Sequence, residues 1–347
     1  MDGAAEINNY KAMEKKIKLI KHYLEAVNQS FILNPRDTSS FAASSELVLT
    51  RKGKLWGREK LILELRGYEG FYVIPEALSP VQQLNLAEMC LTEWIEPPNI
   101  SNIPEQPSQY WQRYIMDTDV KEKREACAMK RRRTSSLDRL RWVTLGYHYD
   151  WEKRKYASQY NTFPPELSIL CSDIAHACNG SYRLSSQAGI VNLYPRGAVM
   201  GGHQDDAEIT LDHPVVSLSI GCACVFLVGG LSKEETPVPI LLHSGDVVVL
   251  GGPSRLRYHG VGKVFNCERY GGIYSSIDCA LTLLFVYNHK LAVVPDTTSA
   301  NNALESEAPF SISKERAAHQ LELIDFITST RININVRQVY PCLNLLT

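Results

Sequence analysis

The 347-residue chain has no apolar run approaching the length of a bilayer-spanning helix, so a membrane protein of the helical kind is excluded. It has no Cys-x-x-Cys pair. Its nine cysteines are odd in number, and Cys222 and Cys224 have no histidine or further cysteine at zinc-knuckle spacing. All nine read as reduced, mostly buried thiols, which suits an intracellular protein. The net charge is only −1, so any attraction to a polyanion has to come from a local patch and not from the global field. Gly229-Gly230 and Gly251-Gly252 lack the following Lys-Ser/Thr of a phosphate loop and read as turns. There are no internal repeats and no low-complexity tail. The stretch from Asn8 to Val27 carries lysines and apolar residues at helical spacing, but Asp2, Glu6, Glu14 and Glu25 make it a poor transit peptide. The expected location is nucleus and cytoplasm, with the mitochondrion left open.

What is present supports a sizeable core: 44% hydrophobic and 22% charged residues. Apolar spacing from Tyr10 to Val27 predicts an amphipathic helix, followed by a loosely held connection from Asn28 to Gly57. Phe71 to Pro75 has strand character. Ser79 to Glu96 reads as a helix, with Ser79 as N-cap and Pro80 in the first turn. From residue 188 onward short β-branched or alternating segments recur, punctuated by Gly, Pro or Asp: Ala188–Tyr194, Val215–Ile220, Cys224–Val228, Val238–Leu242, Val247–Leu250 and Ala280–Val286. A helix over Ser313–Thr328 and a strand over Arg331–Tyr340 complete the pattern. The fold class is therefore mainly β with flanking helices (α+β), a closed antiparallel sandwich or jelly roll. We divide the chain into an N-terminal helix and flexible connection (1–55), a helical and loop region with a basic run (56–138) and a core (139–347).

Two local features point to a polyanionic partner. Lys121 to Arg141 holds nine basic and three acidic residues, including Lys130, Arg131, Arg132 and Arg133. The run leads directly into an aromatic strand, Leu140-Arg-Trp-Val-Thr-Leu-Gly-Tyr-His-Tyr-Asp-Trp151. A charge run alone is more often a solvated loop, and an aromatic stripe more often core packing. Their adjacency favours a nucleic-acid surface.

The chemistry centres on His203 and Asp205, a His-x-Asp pair, with His259 56 residues downstream. Two histidines and a carboxylate form the facial ligand set of non-haem Fe(II) oxygenases, and alternate residues of an extended strand share one face. A lone His-x-Asp is weak evidence. The last strand adds to it, because positions 331, 333, 335 and 337 share one face and bring Arg331 and Arg337 together with two amides. Arginines buried on one face need anions, and a dicarboxylate would satisfy them by bidentate pairing.

Taken in order, Asn192-Leu-Tyr194, His203-Gln-Asp205, Ser244-Gly-Asp246, His259 and Arg331-x-Asn-x-x-x-Arg337 resemble the AlkB family of Fe(II)/2-oxoglutarate dioxygenases, most closely its homologue-1 branch. The resemblance runs from about Trp56 to Tyr340. It implies a double-stranded β-helix core, iron held by His203, Asp205 and His259, and 2-oxoglutarate and O₂ as co-substrates. Arg331 would pair with the distal carboxylate of 2-oxoglutarate, helped by Asn333, Asn192 and Tyr194, and Arg337 would lie near its chelating end. Trp142, Tyr147 and Tyr149 match positions lining a flipped-base pocket, with His148 beside them and Trp111 contributing from the preceding region. The Lys130–Arg133 cluster would hold phosphates without reading sequence. Relatives that carry a second carboxylate two residues past the iron-binding Asp have Ala207 here, so their base preference does not transfer.

The function so implied is oxidative demethylation of N-methylated bases, N1-methyladenine in tRNA and methyladenine or methylcytosine in DNA, releasing formaldehyde, succinate and CO₂. Single-stranded or bulged substrates are expected, because extruding a paired base costs a few kcal/mol. A monomer without membrane contact is expected. The alternatives are a histone demethylase or hydroxylase with the same iron centre, an abasic-site lyase, and a non-catalytic nucleic-acid binder.

Overall fold

The computed structural model describes residues 8–37, 48–116, 136–265 and 314–341, and of residues 314–318 and 321 the backbone only. Fourteen strands fall into two antiparallel sheets among the described residues. The large sheet is built from β1 (Val48–Leu55), β2 (Arg58–Leu65), β3 (Phe71–Ile74), β4 (Ile100–Ser101), β5 (Trp142–Asp150), β6 (Lys155–Tyr160), β7 (Ala188–Pro195), β9 (Val215–Gly221), β12 (Val247–Leu250) and β14 (Thr330–Arg337). Its order is β1-β2-β3-β12-β9-β14-β7-β5-β4, with β6 paired to β5. The small sheet contains β8 (Met200–His203), β10 (Cys224–Val228), β11 (Val238–Leu242) and β13 (His259–Val264), in the order β11-β10-β13-β8.

The alternation of each strand explains how the layers stack. In β12, Val248 and Leu250 join Phe71 and Val73 of the large sheet and Phe226, Val228 and Leu242 of the small sheet in one core between the two. Val247 and Val249 face the other way, into a second core under the helices. Strands covered on both faces read as continuous apolar runs, and Val247–Leu250 is one. The helical layer contains α3 (Pro80–Thr92), α4 (Tyr110–Met116), α6 (Pro165–Cys178) and α7 (Lys314–Ser329), with the short α5 (Ser136–Arg139) leading into β5. The start of α3 is fixed by a capping box in which Ser79 and Gln82 satisfy each other's backbone N–H groups.

The N-terminal segment folds as two helices and not one: α1 (Asn9–Lys18) and α2 (Tyr23–Val27). The break follows from side chains that take backbone groups at the junction. Glu25 accepts the Lys21 N–H at 2.8 Å, and Lys263 donates to the carbonyls of Lys18 and Ile20. The stretch expected as a loose connection contains β1, whose residues are mostly exposed because it is the edge of the large sheet. Its strand pattern is hidden by that exposure. The Ala280–Val286 strand, the Ser313 cap and the Lys130–Arg133 run lie outside the described residues.

Candidate metal and co-substrate centre

The cavity that matters lies between the two sheets. His259 opens β13 and His203 ends β8, and the two are direct cross-strand partners with ring centroids 4.5 Å apart. Asp205 lies two residues beyond the end of β8, in the loop, and not on the strand face where alternation placed it. The Nε2 atom of His259 is 3.7 Å from Asp205 Oδ2, that of His203 is 4.0 Å from Oδ1, and one donor atom from each residue falls within 4.8 Å of the others. Each histidine uses Nδ1 on a backbone carbonyl two residues before it, Gly201 O for His203 and Arg257 O for His259, both at 3.0 Å. An Nδ1–H spent this way leaves Nε2 as the lone-pair donor facing the carboxylate, as a metal ligand requires. Burial, reinforced by His203, lowers the pKa of His259 to about 4 and keeps it neutral. Burial opposes ionisation of Asp205, but Arg337 and the two histidines outweigh it and hold its carboxyl well below the usual range.

The residues around this trio form a charged, almost solvent-free floor. Glu208 is the hub: it accepts from Tyr156 Oη at 2.8 Å, Arg255 Nη2 at 2.9 Å and Arg337 Nη1 at 3.1 Å. Arg255 also donates to the Asp205 carbonyl at 2.6 Å, tying the ligand loop to the same network. The sequence reading missed Glu208, Arg255 and Tyr156 as a unit. They come from three separate segments, and none carries a local motif.

Beside the trio, β14 presents the alternating face expected of it. Ile332, Ile334 and Val336 enter the helix-side core, while Arg331, Asn333, Asn335 and Arg337 line the cavity. Arg331 stands across from Tyr194 and Asn333 across from Asn192 in the β7 pairing. Arg331 is 1% exposed and spends Nη2 on Ser219 Oγ at 2.9 Å, yet its Nε and Nη1 have no partner. A buried guanidinium with open donors is costly unless an anion completes it. The donor set thus fits a divalent cation next to a carboxylate-bearing ligand. Asn333 is committed to Ser217 Oγ and Leu218 O, both at 2.9 Å, so its amide nitrogen braces the strand pair.

The cavity holds about 340 Å³, and Trp142, Tyr149 and Trp151 are among the residues that line it. Trp142 and Trp151 lie against each other with centroids 3.8 Å apart and planes tilted by 33°, and Trp151 is 41% exposed. Three other expected substrate contacts are placed elsewhere. Trp111 is 1% exposed, packed on Tyr114 and Phe326 in the helix-side core, because α4 turns its apolar face toward α7. Tyr147 packs on Tyr160 and Tyr340, outside the cavity lining. His148 bonds Thr144 Oγ1 at 2.9 Å and backs Trp142 from behind the lining. Trp151, Arg154 and Tyr156 line the cavity instead.

Two sheets of a jelly roll, a His/Asp/His cluster at one end and an unsatisfied buried arginine beside it define a metal- and oxoacid-dependent oxygenase. Comparison with known proteins agrees, for residues 70–337 match the 2OG-Fe(II) oxygenase superfamily. The chain belongs to that family, whose members use Fe(II), 2-oxoglutarate and O₂. It is 32% identical over 276 residues to "Nucleic acid dioxygenase ALKBH1" of Homo sapiens, covering 79% of this chain and 65% of the relative. It is 30% identical over 295 residues to "DNA N(6)-methyladenine demethylase ALKBH1A" of Arabidopsis thaliana, covering 78% and 75%. It is 29% identical over 281 residues to "tRNA demethylase abh1" of Schizosaccharomyces pombe, covering 75% and 86%. The chain spans between 51% and 65% of the length of the mammalian relatives it matches. Among the described residues no helix is long and apolar enough to cross a membrane.

Proposed function

We propose that the chain is an Fe(II)/2-oxoglutarate-dependent demethylase of N-methylated bases in nucleic acid. The observation that carries this reading is that one cavity is lined both by the His203/Asp205/His259 cluster and by the closely packed Trp142 and Trp151. An aromatic wall suits a planar base, and stacking contributes about 1–3 kcal/mol per base without demanding a sequence. Relatives named for DNA and tRNA demethylation support the substrate class.

In this reading His203, Asp205 and His259 hold the iron, and Arg331 takes the far carboxylate of 2-oxoglutarate. Arg337 and Arg255 keep the Asp205 carboxylate charged and aimed. Bound iron with O₂ and 2-oxoglutarate supplies the oxidising equivalents, so that the N-methyl carbon is hydroxylated and leaves as formaldehyde while 2-oxoglutarate becomes succinate and CO₂. The residues around the base set its choice. Ala207 lines the cavity where some relatives have a carboxylate, Glu208 is fully engaged, and Asp206 is paired with Arg154 at 3.2 Å. With no carboxylate at position 207, recognition rests on stacking and shape, and both methyladenine and methylcytosine are admitted. Unpaired tRNA-like or single-stranded substrates fit best, since such bases need no extrusion from a duplex.

The test is succinate and formaldehyde release with methylated single-stranded oligonucleotides set against methylated histone-tail peptides. Turnover on the oligonucleotides supports the reading, and turnover on the peptides alone sinks it.

A further inference from the structure

The strand that ends in His203 is held from outside the sandwich by the N-terminal helix. β8 is four residues long and, among the described residues, pairs with β13 alone, as the last strand of the small sheet. Two consecutive glycines, Gly201 and Gly202, lead into His203, and glycine is the residue that gives a backbone most freedom. Gly202 donates its N–H to Glu14 Oε1 at 2.9 Å. The Tyr10 ring lies over the same glycine, so closely that a Cβ on Gly202 would sit 2.4 Å from Tyr10 Cε1. Cβ atoms on Gly229 and Gly262 would sit 3.0 Å from Tyr10 Cδ2 and 2.9 Å from Ile17 Cγ2. Three bare backbone positions therefore let α1 lie directly on the small sheet.

The helix is pinned at both ends. Tyr10 is buried, receives Lys233 O on its N–H at 3.1 Å, and donates its hydroxyl to Leu227 O at 3.3 Å. Lys263 of β13 reaches the carbonyls of Lys18 and Ile20 at the other end. Glu14, one turn past Tyr10, is the side chain that hydrogen-bonds β8. It does not line the cavity.

We propose that α1 is a positioning element of the iron site, and that Glu14, through the Gly202 amide, fixes the backbone from which His203 projects. The proposal rests on the assignment of His203 as an iron ligand. His203 is the ligand that needs such support, for its side chain is 42% exposed against 9% for His259.

Mn(II) affinity of the full chain, titrated by electron paramagnetic resonance with 2-oxoglutarate present, tests it in Glu14→Gln, Glu14→Ala and Glu14→Asp. Gln keeps an oxygen acceptor at the same reach and should bind Mn(II) as the wild type does. Ala removes the acceptor and should weaken binding about tenfold, in the range seen when outer partners of metal ligands are lost. Asp keeps the charge but falls one methylene short, and should behave as Ala. Unchanged affinity in Ala and Asp overturns the proposal. A Gln variant as weak as Ala also overturns it, by assigning the effect to charge and not to the bond. If Ala lowers the melting midpoint of the metal-free protein, the Asp variant decides alone. His203→Ala on the same titration keeps the two claims apart. Persistent Mn(II) binding there defeats the ligand assignment, whatever the Glu14 variants do.

Discussion

Arg337 Nη1 lies 3.0 Å from Asp205 Oδ1 and 3.1 Å from Glu208 Oε1, one guanidinium nitrogen between two buried carboxylates. All three side chains are at most 11% exposed. The arrangement holds two like charges in a low-dielectric floor by giving them a shared cation.

Removing that cation leaves Asp205 without its guanidinium partner and Glu208 with Arg255 as its remaining cation. Breaking a buried pair costs about 3–5 kcal/mol, so Arg337→Met should lose stability of that order in urea denaturation of the metal-free protein. Adding Mn(II) should recover part of the loss, since a divalent ion then stands next to Asp205. A variant as stable as the wild type without metal would show that the carboxylates are not held by Arg337.

Arg331 makes a separable prediction. Its unpartnered Nε and Nη1 await a carboxylate, and each hydrogen bond between charged groups contributes about 1.5–3 kcal/mol. Arg331→Ala should raise KM for 2-oxoglutarate by roughly ten- to a hundredfold. Mn(II) affinity measured without 2-oxoglutarate should not change. Equal loss of both would place Arg331 in the fold and not in co-substrate binding.

These residues also show what the linear chain reveals and what it hides. The period-2 alternation of Arg331, Asn333, Asn335 and Arg337 shows directly in sequence, because a strand with one polar and one apolar face writes its own pattern. The N-cap at Ser79 and the strands Cys224–Val228 and Val238–Leu242 are legible for similar local reasons. Glu208 is not legible, since its partners Tyr156, Arg255 and Arg337 meet it only in the folded chain. Trp111 misleads because an aromatic side chain near a basic run looks the same whether it faces solvent or α7. β1 is masked by the exposure of its own edge.

The tryptophans therefore divide into two kinds. Trp151→Ala and Trp142→Ala should weaken binding of a methylated oligonucleotide by about 1–3 kcal/mol each, measured by fluorescence anisotropy, while leaving the melting midpoint nearly unchanged. Trp111→Ala should do the reverse, costing about 3–5 kcal/mol of folding stability as a buried large-to-small change. A selective loss of oligonucleotide binding in Trp111→Ala would contradict its place in the helix-side core.

The metal-free protein should weaken on mild acidification. Burial, then the neighbouring His203, lower the His259 pKa from 6.5 to about 4. The unfolded chain therefore takes up the proton first, and stability falls as pH drops from about 6.5 to about 4, by roughly 3 kcal/mol from this group. Asp205 and Glu208 have folded values below the usual carboxylate range, so their contribution is present above about pH 4 and lost below it. Urea denaturation at pH 7, 5.5 and 4.5 should show a steady decline, shallower in His259→Gln. A wild-type curve that is flat across this range would contradict the burial of a neutral His259.

The most direct test of the account follows a methylated single-stranded oligonucleotide, with 2-oxoglutarate and Fe(II), by mass spectrometry of its nucleosides. The account predicts loss of the N-methyl group with formaldehyde and succinate released in equal amounts, and no loss in Asp205→Ala. Demethylation that persists in Asp205→Ala, or strand cleavage with the methyl group retained, would contradict it.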